Sequence, residues 1–342
     1  MTISIDPPRN DVTIHDVARV AGVAASTVSR ALSDPDRVRA STRERVRQVA
    51  IELGYVPSSQ AKALRSGRTK TVALLVPDIS NPFLTGIIRG TQHQLKAAGY
   101  LQVLVDTEES AEVEWETIQK LRHSVDGIVL TASRLTDEQL LEVSRLVPLV
   151  VFNRAVTGIA STVIDTQTGF ETSVEHLVSL GHTKLLYVSG PTSSWSNGTR
   201  LEAVQEACER LGVQLTVTRP FQPTVEAGAS AADAALISGA SACIAYNDLI
   251  AIGMLRRFAE RAIAVPADIS IVGCDDIFGS DFCTPPLTTL GAPIEQAGRS
   301  AVSMLLRQLE DEAASGRGTT VIPTHLIIRK STGPYHGEHD HG

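Results

Sequence analysis

Apolar positions keep two different rhythms along this chain. Between Thr13 and Leu53 they recur at three- and four-residue intervals; from Val72 onward short β-rich runs alternate with longer amphipathic stretches. In the first region Ile14, Val17, Ala18 and Ala21 give a short helix one apolar face. Gly22 and Val23 interrupt the pattern, and a second short helix is predicted from Ala25 to about Leu32. Thr13 stands where it can cap the first helix, with Asp16 three residues on to favour its positive end. Ser41-Thr42-Arg43-Glu44 has the form of a capping box and predicts a third helix to about Leu53, stopped by Gly54. Val17, Val20, Val23, Val28, Leu32 and Val46 are its expected core. Two helices around a tight glycine-containing turn have the form of a helix-turn-helix, whose second helix fits a DNA major groove. An ordinary helical hairpin has the same pattern, so periodicity alone leaves both open.

On the second helix Ala25 and Ser29 lie four apart, as do Ser26 and Arg30, which predicts one shared face opposite Val28 and Leu32. On such a face Arg30 can bond guanine O6 and N7 together, and Ser26 and Ser29 can take base edges or phosphate. Ala25 offers an apolar contact only, while Thr27 and the helix N-terminus suit phosphates. Beyond the third helix Pro57 blocks continuation and Ser58 can cap a further turn and a half. The Ser/Gly/Arg/Lys composition of 65–70 reads as a linker.

In the second region the β-rich runs are 72–76, 101–105, 127–130, 149–152, 162–164, 185–189, 243–245 and 269–273. Helical candidates lie near 83–98, 112–122, 166–180, 196–211, 225–237 and 248–260. This alternation argues for parallel sheets covered by helices on both faces, and its length for two similar lobes. Ligands of such sheets bind beyond the carboxyl ends of the strands. Those ends carry Asn81-Pro82-Phe83, Asn153-Arg154, Asp165, Arg200, Asn247-Asp248 and Asp275-Asp276. Planar amide, carboxylate and guanidinium groups bond adjacent hydroxyls in pairs, and an aromatic ring covers a sugar's apolar face. Taken singly, each has a plainer role: Asp248 as a helix cap, Asn81-Pro82 as a turn, Asp276 as a solvated carboxylate.

Charge separates the two regions further. Residues 1–70 carry 12 Lys/Arg against 7 Asp/Glu, whereas the rest carry 19 against 31. A basic head on an acidic body points the head at phosphate. Hydrophobic residues make up 43% of the chain without a run long enough to span a membrane. The opening MTISIDPPRND has neither a basic stretch nor an apolar one, so no secretion signal is expected and the protein is placed in the cytoplasm. Cys208, Cys243, Cys274 and Cys283 lack metal-like spacing and are expected to be reduced thiols. His336, His339 and His341 are read as part of a disordered tail, so neither a metal nor a cofactor is expected. Dinucleotide, P-loop, nucleophile-elbow and zinc-protease motifs are all missing, which weighs against an enzyme.

Several segments together resemble the lactose-repressor (LacI/GalR) family of bacterial transcription regulators. They are Asp16-Val17-Ala18, Ala21-Gly22-Val23, Thr27-Val28-Ser29-Arg30 and Val56–Leu64 in the head. In the body they are Gly190-Pro191 to Arg200-Leu201, Asn247-Asp248 with Ala251-Ile252-Gly253, Val272-Gly273-Cys274-Asp275-Asp276 and Pro285-Pro286-Leu287-Thr288-Thr289. The resemblance extends to about Ser331. It implies that Ala25, Ser26, Ser29 and Arg30 face operator bases, with Thr13, Ile14 and Thr27 also at the DNA. It implies that 58–64 is a hinge helix, with Leu64 as a minor-groove wedge beside Ala61 and Lys62. It implies that Arg200 and Asp275 bind the effector and that Asn247 belongs with them, with Phe221 as an aromatic cover; Phe83, Asn153 and Asp165 join the site as strand-end candidates. Ala24 replaces the family's capping Ser, a loss of about 0.5–2 kcal/mol. Cys274 replaces its usual aromatic.

The resulting expectation is a small all-α helix-turn-helix head on an α/β body of two doubly wound parallel-sheet lobes of periplasmic-binding-protein type. The expected divisions are 1–12 flexible, 13–56 DNA-binding, 57–70 hinge helix and linker, 71–164 with 291–320 one lobe, 165–290 with 321–332 the other, and 333–342 disordered. The expected function is a repressor that binds a palindromic operator as a homodimer, without a membrane partner, under control of a carbohydrate or related metabolite. A transport receptor for sugars is the competing reading; the basic head and the absent secretion signal count against it.

Overall fold

The computed structural model describes residues 12–33, 37–55, 67–311, 318–335 and 337. The chain forms two units, Met1–Thr69 and Lys70–Gly342.

In the first unit α1 (Ile14–Ala21), α2 (Ala25–Ser33) and α3 (Ala40–Glu52) enclose Val17, Val28 and Val46, with Ala18, Ala21, Ala31, Val49 and Ala50 around them. The Asp16 carboxylate closes the start of α1, accepting from the Thr13 N–H (3.1 Å) and the Thr13 hydroxyl (2.7 Å). Gly22, at φ 64°, reverses the chain into the turn, and the Val23 N–H reaches back to the Ala18 carbonyl (3.1 Å).

Three expectations for this head are corrected. Val20 is 55% exposed, not core, because it sits beyond the apolar face that Val17 and Ala21 define. Helix α3 opens at Ala40 on the Arg39 backbone, whose carbonyl accepts from Thr42 and Arg43 (both 3.0 Å), so Ser41 falls inside the first turn and does not cap it. Ala25 and Ser29 do not lie opposite Leu32. Seven residues make almost two full turns, so Ala25 and Leu32 share a face, and both are half-buried against the core.

The second unit contains two six-stranded sheets. The first has the order β11-β5-β4-β3-β1-β2, built from β1 (Thr71–Val76), β2 (Leu101–Asp106), β3 (Gly127–Thr131), β4 (Leu149–Phe152), β5 (Ala160–Ile164) and β11 (Thr319–Ile322). The second has the order β12-β10-β9-β8-β6-β7, built from β6 (Lys184–Val188), β7 (Gln214–Val217), β8 (Ala242–Ala245), β9 (Ser270–Cys274), β10 (Thr288–Gly291) and β12 (His325–Ile327). All pairings are parallel except β10 with β12. The chain passes between sheets three times, after Ile164, after Gly291 and at Pro323-Thr324. Two of these crossings are tied: Asp165 N–H donates to the Ile322 carbonyl (2.8 Å) and the Thr324 hydroxyl to the Asp165 carbonyl (2.7 Å).

All eight predicted strand regions form strands. Four further strands (β7, β10, β11 and β12) and two helices, α6 (Asp137–Leu146) and α11 (Ile294–Glu310), had no matching prediction. The strands are short, and β10 is rich in Thr, which is buried here because its hydroxyls find partners. Gly333 and Tyr335 correct the expected start of the disordered tail. Gly333 N–H donates to Ser270 Oγ (3.1 Å), Tyr335 N–H donates to the Leu180 carbonyl (2.8 Å), and the Tyr335 ring stacks on His182. His336, His339 and His341 lie outside the described residues. Among the described residues no helix is long and apolar enough to cross a membrane, and no cluster of potential metal ligands occurs. All four cysteines are free thiols.

Helix α4 (Phe83–Ala97) crosses α11 so closely that small residues are required at the contact. A Cβ on Gly90 would stand 2.0 Å from the Glu295 carbonyl oxygen, a backbone atom that side-chain motion cannot move aside. Gly198 is also helical, but a Cβ there meets nothing within 4 Å. Gly90→Ala is therefore expected to destabilise the body by about 1–3 kcal/mol, whereas Gly198→Ala is neutral or stabilising by up to about 1 kcal/mol. Denaturant unfolding of the two variants checks the contrast.

Candidate functional site

Ser26 and Arg30 are exposed one turn apart on α2, and Thr27 is half-buried beside them. Ser29 is 8% exposed and Ala25 is packed on the core, so the accessible part of this face is narrower than the spacing predicted. Thr13 is exposed and Ile14 half-buried at the start of α1. The Ala24 carbonyl accepts from the N–H groups of Thr27 (2.8 Å) and Val28 (3.1 Å), but its methyl group cannot cap α2. The 58–64 segment, with Ala61, Lys62 and Leu64, lies outside the described residues.

In the body, a cleft lies where the two sheets converge. Phe83, Asn153, Arg200, Asn247 and Asp275 all line it. Asp165 and Phe221 do not. Asp165 caps α7 (Thr166–Ser179) by accepting from the Thr168 N–H (3.1 Å). Phe221 is 7% exposed within the apolar core of the second lobe. The aromatic residue that the second lobe brings to the cleft is instead Tyr246, which immediately precedes Asn247 after β8. Sequence reasoning also missed Glu109, Arg134 and Ser196. Starting each strand-end search one residue earlier finds Tyr246, and extending it a few residues past β3 finds Arg134.

Arg200, on α8 (Trp195–Leu211), is 3% exposed yet reaches the cleft. Its Nη1 donates to the Tyr246 carbonyl (2.6 Å), its Nη2 reaches Asp275 Oδ1 (3.4 Å), and its guanidinium lies 4.8 Å from the Tyr246 ring centre. Its Nε is buried without a partner. Burial pushes the Asp275 carboxyl up to about 6 against the pull of Arg200. Asn247 Oδ1 caps α10 (Asp248–Glu260) by accepting from the Ile250 N–H (3.1 Å), which leaves its amide NH2 as the group offered to the cleft. Asn153 Nδ2 donates to Ser196 Oγ (3.3 Å), a bond that joins one lobe to the other.

Backbone strain gathers here. Among the described residues eight non-glycine residues take positive φ. Four of them line the cleft (Glu109, Ala132, Asn153 and Asp275), and Glu108 and Asp276 adjoin these. Each such conformation costs about 1–3 kcal/mol and persists only where its surroundings over-determine it.

Asp248 is neither the helix cap nor a lining residue. Fully buried, it accepts from the Thr289 hydroxyl (2.6 Å), the Ser280 hydroxyl (2.6 Å) and the Ile277 N–H (3.0 Å). It thereby ties the loop after Asp275 to β10.

The comparisons with known proteins follow this division. The model for bacterial regulatory proteins of the lacI family matches residues 13–58, and that for the periplasmic binding protein-like domain matches residues 174–332. The HTH-type transcriptional repressor CytR of Escherichia coli (strain K12) is 33% identical over 330 residues, covering 94% of this chain and 96% of its own. This chain belongs to the LacI family of bacterial regulatory proteins. The lac repressor dimer bound to operator and the anti-inducer ONPF superposes with a TM-score of 0.85 at 28% identity, covering 95% of this chain and 100% of that one. The transcriptional regulator CelR in complex with cellobiose gives 0.70 at 28% identity, covering 94% and 99%. As a LacI-family member the chain is a DNA-binding transcriptional regulator under small-molecule control, not an enzyme. A sugar receptor without a DNA role is not favoured, because the family match begins in the head.

The tie at Asp248 yields a stability prediction. Asp248→Asn keeps an acceptor oxygen for the Ile277 N–H and the Ser280 hydroxyl but turns an NH2 toward the Thr289 hydroxyl, which must then accept, and is expected to cost about 1 kcal/mol. Burial first, then the neighbouring Asp275 charge, pushes the Asp248 carboxyl up to about 7. Its folded value exceeds the ordinary 3.8, so its contribution is fully present below that value and lost as pH rises through about 7. The gain in melting temperature on going from neutral pH to about pH 5 is therefore smaller in Asp248→Asn than in the wild type.

Proposed function

We propose that this regulator binds a palindromic operator as a homodimer and that a carbohydrate or related metabolite in the cleft controls that binding. The observation that carries the effector reading is Arg200: a buried guanidinium at the cleft wall, paired with Asp275, stacked on Tyr246 and with its Nε unpartnered. The amide NH2 of Asn247 and the ring of Phe83 complete a set suited to adjacent hydroxyls and an apolar sugar face. A cellobiose complex of CelR supports the ligand class. The lac repressor dimer on operator supports the assembly, and the exposed Phe278–Phe282 pair offers apolar area for a second copy. In this reading the protein is cytoplasmic, repression is its default, and the boundaries near residues 56 and 70 separate head, hinge and body.

At the DNA, Ser26 and Arg30 read base edges, with Thr13, Ile14 and Thr27 placing the head on phosphates. Ala61, Lys62 and Leu64 act in the minor groove, a role that rests on the resemblance of 56–64 to the family's hinge. Effector occupancy favours one arrangement of the two lobes, which the Asn153–Ser196 bond already spans, and that arrangement sets the affinity for operator. The coupling is reciprocal, so operator changes effector affinity by the same factor.

The operator is recovered by sequencing fragments of the organism's own genome that the protein retains at physiological salt. On such a fragment Arg30→Ala relaxes base preference, with about 1–3 kcal/mol of discrimination lost, whereas Lys62→Ala weakens all sequences alike and lowers the salt slope by about 1. Arg200→Ala retains operator binding and loses the response to metabolite extract; loss of operator binding instead would refute its effector role.

A further inference from the structure

The cleft holds four charged side chains, and they form two pairs, one on each lobe. On the first lobe Arg134 Nε donates to Glu109 Oε2 (2.8 Å), Nη2 donates to the same oxygen, and Nη1 donates to the Ala132 carbonyl (3.0 Å). On the second lobe Arg200 pairs with Asp275. The side chains of Arg134 and Arg200 are 5% and 4% exposed, so solvent screens neither pair well. No other charged residue lines the cleft, and its net charge is zero.

The pairs also fix which atoms face a ligand. Both hydrogen bonds from Arg134 to Glu109 end on Oε2, which leaves Oε1 as an acceptor. The Arg200 bond and the Cys274 thiol contact both end on Asp275 Oδ1, which leaves Oδ2. Each lobe thus offers a carboxylate oxygen whose charge an arginine balances. Asn81 and Asn247 use their Oδ1 atoms to cap backbone N–H groups and offer amide NH2 donors. Hydroxyl groups, which donate and accept, satisfy such a set completely. A phosphate or carboxylate does not: it meets two acceptor carboxylates and finds both guanidinium charges already balanced.

We infer that the effector is an uncharged, hydroxyl-rich molecule bridged between Glu109 of one lobe and Asp275 of the other, and that its phosphorylated or carboxylated forms are rejected. This rests on the effector-site reading above and narrows it. Glu109 is the specificity-determining residue of the first lobe. It lines the cleft and is held there by Arg134.

Two measurements test this. First, metabolite extract of the protein's own organism is passed over an anion exchanger, and each fraction is assayed for its effect on full-length protein bound to its recovered operator fragment. Activity is expected in the uncharged flow-through. Activity confined to the retained anions overturns the inference but leaves the effector-controlled regulator standing. If neither fraction nor whole extract changes operator affinity, the proposed effector control through this cleft itself falls. Second, binding of inorganic phosphate is followed by the melting temperature of the body transition, against chloride at equal ionic strength. Glu109→Gln keeps an acceptor for Arg134 and removes the balancing charge, so it is expected to bind phosphate about tenfold more tightly than the wild type. Equal or weaker phosphate binding by the variant overturns the charge-balance argument, whatever the natural effector is.

Discussion

A buried carboxylate with no cation at its side organises the effector side of this molecule. Asp248 accepts three hydrogen bonds from groups far apart in sequence: a backbone N–H at Ile277, a hydroxyl at Ser280 and another at Thr289. Donors replace the water lost from its oxygens and offset part of the cost of burial, which still pushes the carboxyl up to about 7. Through them the first residue of α10, the loop leaving β9 and the strand β10 become one rigid piece. Gly273 has room for no side chain because a Cβ there would stand 2.1 Å from Asp248 Oδ1. Asp275, two residues from that glycine and two from Ile277, is thus held on both sides, in a backbone conformation it would not choose alone.

The same economy governs the rest of the cleft. Its residues come from the ends of parallel strands, where the chain must leave the sheet and where side chains from several strands converge. Neither lobe has a complete site. Phe83, Glu109, Arg134 and Asn153 come from one, Arg200, Tyr246, Asn247 and Asp275 from the other. A ligand that touches both therefore distinguishes lobe arrangements by its own binding energy, which is the physical requirement for control at a distance. The Asn153–Ser196 bond and the tied crossings at Asp165, Ile322 and Thr324 restrict how those arrangements can differ.

The head is a unit of a different kind. Three short helices close over a few Val and Ala side chains, and Ala24 leaves α2 without a side-chain cap. A core this small leaves little stability to spare. Residues 1–70 carry 12 Lys/Arg against 7 Asp/Glu, so association with phosphate adds what the core lacks.

Local sequence determined much about this protein. The helices of the head, the eight strands and six helices of the body read from periodicity, and the basic head on an acidic body all follow from near-neighbour chemistry. So do Asn247 and Asp275, which stand where strands end, and Arg200, which lies on the helix after β6; all three fall in motifs that resemble the LacI family. Tertiary structure alone decided what each group does next to groups distant in sequence. Asp248 changed from a candidate cap to a buried tie because its three donors lie 29 to 41 residues away. Phe221 went into the core and Tyr246 came to the cleft because burial depends on the packing of whole sheets, not on residue type. Glu109 and Arg134, 25 residues apart, form a pair only once β2 and β3 have both joined the sheet around β1. Periodicity reports which side of an element is apolar; what faces that side is settled only when the chain returns to it.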